Sequence, residues 1–281
     1  MRSDGCTPAP GGQLSKASVP RLHRIAVVPY LNTRPLIWGL DETAEVELVR
    51  AVPSELRGKL AGGEVQAALM PSIDLQRFDR PLTVIRAGCI ASAGPTLTVR
   101  VFSQVPAEDV NVLWADTDSH ASVALARVLW AATFHRELHV IPFDTRQRPP
   151  QMDAEAVLLI GDKVVTDPPL GYDYQIDLGA MWYEMTGLPF VFAAWAAAPG
   201  ADCAALCGLL GRARAGGQRR AEQIAREYGP AYGWPADLAV QYLTRNLEFA
   251  FTDAHREGME EFFDRAREYG ILQSVRPLNY C

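Results

Sequence analysis

Five short polar segments each follow an apolar run, and they hold the residues of this chain best suited to binding an anion at a strand end. The first, Tyr30-Leu31-Asn32-Thr33-Arg34, follows Ile25–Val28 and leads into Pro35. Asn32 and Thr33 are good helix N-caps and Pro35 suits a first helical turn, so the unpaired amides there, with the Asn32 amide and Thr33 hydroxyl, can point at a carboxylate. The second, Pro71-Ser72-Ile73-Asp74, offers Ser72 as a helix cap or a ligand contact. In the third, Ser92 to Thr98, Gly94 lets backbone amides approach a ligand closely while Ser92, Thr96 and Thr98 supply neutral donors.

The fourth segment, Asp116 to Ser122, opens a helix expected over Ser119–Phe134. Ser119 or Ser122 with the first free amides there could bind one carboxylate, each charge-assisted hydrogen bond contributing about 1.5–3 kcal/mol. Asp116 and Asp118 should therefore turn away, and His120 reads as a surface residue of the first turn with a base as its alternative role. The fifth, Ile160-Gly161-Asp162-Lys163, presents Asp162 either as a helix cap or as an acceptor of a proton or hydroxyl. GxGxxG, GxxxxGK[ST] and GxSxG are all absent from the sequence, which removes the usual support for nucleotide-dependent and serine-hydrolase chemistry.

Elements of alternating type must position these turns. Residues 1–22 read as a disordered leader; beyond them strands and helices alternate, with a helix over Ser54–Ala61 stopped by Gly62-Gly63. This pattern predicts an α/β protein with mostly parallel sheets. A second α/β unit over 100–192 would be inserted into a first lobe made of 23–99 and 193–281, with crossings near 98–104 and 188–194 acting as a double hinge around a ligand cleft. After the strand Phe190–Ala197 only helices are expected, around Cys203–Ala213, Arg219–Tyr228, Ala236–Phe249 and Asp253–Tyr269.

The composition is that of a globular chain: 281 residues, 48% hydrophobic and 21% charged, enough to bury a sizeable core. A formal net charge of -6 argues against nucleic acid or an anionic membrane as partner, both of which attract basic patches. No run approaches the ~18 apolar residues of a membrane span, and no signal core is present, so the expectation is a cytoplasmic protein acting on a small molecule. Cys6, Cys89, Cys203, Cys207 and Cys281 are odd in number and lie in apolar or terminal contexts, which fits reduced thiols. His135 and His139 sit in HRELH, which lacks the HExxH order, so no metal is expected there.

Taken in order, YLNTRPL (30–36), VPSEL (52–56), ALMPS (68–72), IASAGP (90–95), TVRVFS (98–103), DTDSHASVALARVL (116–129), LLIGD (158–162) and YDYQIDLGAMWYEMTGLPFVFAAWA (172–196) resemble the chorismate dehydratases of the futalosine route to menaquinone. The resemblance spans about 24–270 and departs at Ala93, where the family pattern would carry an aspartate. It implies the type II periplasmic-binding-protein fold, two α/β lobes around a cleft, and cofactor-free removal of water from chorismate to give 3-[(1-carboxyvinyl)oxy]benzoate. It also implies Asn32 and Ser92 as catalytic residues, with Tyr30, Thr33, Arg34, Ser72, Gly94, Thr96, Thr98, Ser119, His120, Ala121, Ser122, Gly161 and Asp162 binding substrate. No motif presents an obvious general base: the substrate's own enolpyruvyl carboxylate, Asp162 and His120 all stand open. The paralogous 1,4-dihydroxy-6-naphthoate synthase and a non-catalytic cytoplasmic carboxylate-binding protein are the alternatives. Trp38, Trp182 and Trp195 read as core.

Overall fold

The structure, a computed structural model, describes residues 22–117, 120–144 and 154–281. The expected leader 1–22 lies outside these residues except for its last position.

Two sheets carry the molecule. The first contains β1 (His23–Val27), β2 (Val46–Arg50), β3 (Ala67–Pro71), β4 (Thr83–Ser92), β10 (Phe190–Ala197) and β11 (Asn279–Tyr280), in the order β11-β4-β10-β3-β1-β2. The second contains β5 (Val99–Ser103), β6 (Val112–Asp116), β7 (His139–Phe143), β8 (Ala156–Ile160) and β9 (Tyr174–Asp177), in the order β7-β6-β8-β5-β9. Strand β3, AALMP, is buried at every position, as a strand covered on both faces must be. β1 pairs parallel with both β2 and β3, and α1 (Pro53–Ala61) carries the chain from β2 past β1 to β3.

Both sheets are mixed, which corrects the expectation of mostly parallel pairing. β10 runs antiparallel to β3 and β4, and β5 runs antiparallel to β8 and β9. These are the strands on which the chain passes between sheets, and a segment returning from the other sheet enters in the reverse direction. The boundaries expected at 99/100 and 192/193 fall inside strands, because β5 starts at Val99 and β10 already at Phe190. The C-terminal segment is also not purely helical: β11 adds a short parallel edge to β4.

Helices α5 (Cys203–Arg219), α6 (Ala221–Tyr228) and α7 (Ala236–Gln241) cover one face of the first sheet, burying Leu206, Leu210, Ile224 and Ala239 against Ile25, Leu69 and Trp195. Gly217 permits the closest of these contacts: a Cβ there would collide with the backbone of Pro35. The opposite face packs on α8 (Asp253–Glu268), α2 (His120–Phe134) and α4 (Leu178–Thr186), around Trp182, Phe190 and Phe262. Trp182 and Trp195 are fully buried core residues. None of the described helices is long and apolar enough to cross a membrane.

The first crossing between the sheets, residues 93–98, is fixed by one side chain. Asp177 caps α4 by accepting from the amides of Gly179 and Ala180 at 3.1 and 3.2 Å, and it also accepts from Thr96 at 3.0 Å and Leu97 at 2.9 Å. Those bonds hold Leu97 at φ +66°, a left-handed conformation that a branched side chain otherwise avoids.

Candidate active site

A cavity opens where the C-terminal ends of β1 and β3 meet the 93–98 crossing and the first turn of α2. Its walls include Val28, Leu69, Ile90, Val99, Ile160, Phe192 and Leu247, and its polar groups come from Tyr30, Asn32, Thr96, Thr98, His120, Ser122 and Tyr242. Such an apolar chamber with a few polar groups has the character of a small-molecule site.

Asn32 stands inside a 3-10 helix, Leu31–Leu36, rather than at its N-cap. The N–H of Thr33 already donates to the carbonyl of Tyr30 at 3.1 Å, so the turn starts two residues earlier than the side chains suggested. Asn32 Nδ2 donates to the Tyr242 hydroxyl at 3.0 Å, and Tyr242 Oη lies 2.8 Å from Thr98 Oγ1. Asn32 Oδ1 is buried with no hydrogen-bond partner among the described residues. Burial drives the Tyr242 phenol well above its ordinary range, so it remains a neutral hydroxyl; its contacts to Thr98 and Asn32 only partly oppose that shift.

Tyr242 escapes sequence reading altogether. The helix expected over 236–249 breaks after Gln241, and Tyr242–Asn246 form a π-helical turn that swings the Tyr242 side chain into the cavity wall. Isolated π turns of this kind recur at functional sites. Nothing in the local sequence marks the break. The Tyr242 ring stacks on Trp234, centroids 4.7 Å apart and planes 14° from parallel. Trp234 Nε1 in turn donates to Asp162 Oδ1 at 2.8 Å, and Asp162 Oδ2 accepts from the amide of Leu31 at 3.3 Å.

Asp162 therefore neither caps the short helix α3 (Lys163–Thr166) nor lines the cavity. Both of its oxygens serve neighbours from the first sheet's side of the molecule. Desolvation raises its pKa above the usual carboxylate value, against the pull of the bonds from Trp234 and Leu31. Gly161, by contrast, reaches the cavity, with the Tyr30 ring beside it.

Several other expected contacts are placed elsewhere. Successive side chains of a 3-10 turn diverge by about 120°, so Thr33 and Arg34 cannot share the direction of Asn32. Thr33 is buried in the core, and the Arg34 guanidinium lies over the Tyr228 ring at 4.4 Å and donates through Nε to Tyr232 at 3.2 Å. Ser72 is fully buried beyond Pro71, the residue that faces the cavity, and makes no capping bond. Ser92 and Gly94 lie under α4: a Cβ on Gly179 would come within 2.7 Å of both Ser92 Oγ and Gly94 O. The amides of the same turn that were expected to meet a ligand are taken by Asp177. Thr96 keeps its place in the lining, its Oγ1 accepting from the amide of Val99 at 3.0 Å.

At the α2 end, Ala121 and Ser122 line the cavity. Asp116 is buried and pairs with Lys163, outside the lining, while Asp118 and Ser119 lie outside the described residues. His120 is not simply a surface residue: its Nδ1 is 2.7 Å from Oδ2 of the buried Asp74, whose Oδ1 accepts from Arg77 at 2.9 Å. Among the described residues no group of three or more His, Cys, Asp and Glu is arranged to hold a metal ion.

With this geometry in view, the comparisons with known proteins are informative. The sequence profile described as menaquinone biosynthesis matches residues 23–268. The chain is 26% identical over 261 residues to a protein of Thermus thermophilus named chorismate dehydratase, with 82% of this chain and 94% of that protein covered. In fold it is similar to protein AF1704 from Archaeoglobus fulgidus, with a TM-score of 0.68 at 16% identity, covering 89% of this chain and 98% of that one. It is similar also to the periplasmic aliphatic sulphonate binding protein SsuA from Escherichia coli, with a TM-score of 0.61 at 15% identity and 94% of each chain covered. The architecture is accordingly that of a periplasmic-binding-protein fold, two mixed α/β units with a ligand cavity between them.

Proposed function

From the premise that this chain belongs to the menaquinone biosynthesis family, we propose that it is a chorismate dehydratase, a hydro-lyase that converts chorismate into 3-[(1-carboxyvinyl)oxy]benzoate and water. The observation that carries this reading is the Asn32–Tyr242–Thr98 hydrogen-bonded cluster set in an otherwise apolar cavity beside the first turn of α2.

The reaction removes the ring C3 proton and the C4 hydroxyl, and aromatisation supplies the driving force. What remains for the protein is to hold the dianion in a reactive conformation and to exclude water. Leu69, Ile90, Phe192 and Leu247 supply the dry wall against which a six-membered ring packs. One carboxylate sits at the first turn of α2, receiving the Ser122 hydroxyl and amides that the helix itself leaves unpaired. The bond between the Tyr242 and Thr98 hydroxyls uses one of their two protons, so the other is the neutral donor for the departing hydroxyl, and the Asn32 amide orients the substrate against it. Asp162 is not the base in this reading, because both of its oxygens are engaged by Trp234 and Leu31. The substrate's own enolpyruvyl carboxylate then takes the ring proton and passes it to the departing C4 hydroxyl, which leaves as water while the carboxylate is restored.

The test is incubation of the purified chain with chorismate in chelator-treated buffer, followed by mass spectrometry against a control without protein. Formation of a product lighter by one water supports the reading. Saturable binding with chorismate left intact would overturn it in favour of a carboxylate-binding protein.

A further inference from the structure

We propose that His120 is the charged anchor of this cavity: an imidazolium, fixed at Nδ1 by Asp74, that pairs through the opposite edge of its ring with a carboxylate of the ligand. The inference rests on the reading of the cavity as a chorismate site and adds to it the group that balances the ligand's charge.

The described residues lining the cavity include neither lysine nor arginine, and His120 is the one side chain among them able to carry a positive charge. A dianion that leaves water for an apolar chamber needs such a partner, because an unpaired buried carboxylate is strongly disfavoured. His120 is also the first residue of α2, so its ring stands at the helix end whose dipole and first-turn amides favour an anion.

The ring's orientation is set from the other side of the cleft. Asp74 belongs to the 3-10 turn Ser72–Gln76 that follows β3 and is 1% exposed, and its Oδ2 lies 2.7 Å from Nδ1. Nδ1 is thus occupied and Nε2 is left for the ligand, since the two nitrogens lie on opposite edges of the imidazole. The charge balance points the same way. Arg77 pairs with Asp74 through Oδ1 at 2.9 Å, so Asp74, Arg77 and the proposed imidazolium together carry one net positive charge, which one ligand carboxylate would balance. The other charged groups around His120 do not fill that role. Asp116 is tied to Lys163, and Arg77 and Arg127 line a separate hollow that His120 also borders. Tyr30 and Tyr242 share the cavity lining with His120, and Asp118 lies outside the described residues.

The experiment is steady-state kinetics of the full chain on chorismate, comparing wild type with His120→Gln, His120→Lys and His120→Arg, each checked for native circular dichroism. Loss of a charge-assisted contact made equally to substrate and transition state should raise KM in His120→Gln by about tenfold or more and move kcat far less. At least one of the cationic variants should recover most of that KM. An unchanged KM in His120→Gln, a fall confined to kcat, or failure of both cationic variants to recover KM would overturn the proposal. If the wild type itself leaves chorismate intact, it is the proposed function that falls; if the wild type turns over and His120→Gln matches it, only the anchor does.

Discussion

The indole Nε1–H of Trp234 donates to Asp162 Oδ1 across 2.8 Å, and this bond ties the end of strand β8 to the aromatic pair that carries the site hydroxyl of Tyr242. Asp162→Asn would set an amide N–H₂ against at least one of two donors, the Trp234 indole and the Leu31 amide. We expect kcat/KM to fall about tenfold or more, the scale of a lost transition-state contact worth 1.4 kcal/mol. Because its effect runs through Tyr242, the double variant with Tyr242→Phe should lose clearly less than the product of the two single losses. A strictly multiplicative result would show that Asp162 acts elsewhere.

Tyr242→Phe removes the hydroxyl shared by Asn32 and Thr98. Deleting one preorganised donor should lower kcat by about 10²-fold. The two groups left without their partner should cost about 1–3 kcal/mol in a denaturation experiment.

Asp162 also has a consequence for stability against pH. Burial raises its folded-state pKa above the ordinary 3.8, so the folded chain holds this proton more tightly than the unfolded one. Its contribution is therefore greatest at acid pH, below the unfolded value, and is lost as pH climbs from that value through the folded one. The Tm of the wild type minus that of Asp162→Asn should decline over that rise. A difference that stays flat would contradict the shift.

Gly179→Ala should destabilise the fold. The new methyl would meet Ser92 Oγ and Gly94 O at 2.7 Å and the Thr96 methyl group, and the backbone there is pinned by Asp177. Overpacking of this kind costs about 1–3 kcal/mol, readable as a lowered Tm and denaturant midpoint.

Ser92→Ala should leave kcat/KM within about twofold of wild type, since its hydroxyl lies under α4 and outside the cavity and surface-independent polar deletions of this kind act on stability. Asn32→Ala should lower kcat by at least about tenfold, because it removes the amide that orients substrate and Tyr242 together. Equal losses in both variants would return Ser92 to the catalytic group.

Apolar runs such as AALMP and FVFAAWAA, the glycine stops and the polar turns at strand ends made the α/β alternation and the position of the cleft legible in the amino-acid sequence, because burial of apolar residues and turn chemistry are local or periodic signals. They also brought Asn32, Thr98, His120 and Ser122 forward as candidates, since each stands just beyond such a run. Which side chains would face one another was decided only by tertiary structure. Thr33 and Ser92 have suitable chemistry, but the 3-10 turn and the packing of α4 send them into the core. Asp177 captured the amides of Thr96 and Leu97 that a ligand was expected to use, from a strand about eighty residues further along. Tyr242 entered the site through a π turn that no periodicity announces, and Asp74 met His120 from the opposite sheet. Direction and partner depend on contacts between segments distant in the chain, and residue type and spacing do not encode those contacts one position at a time.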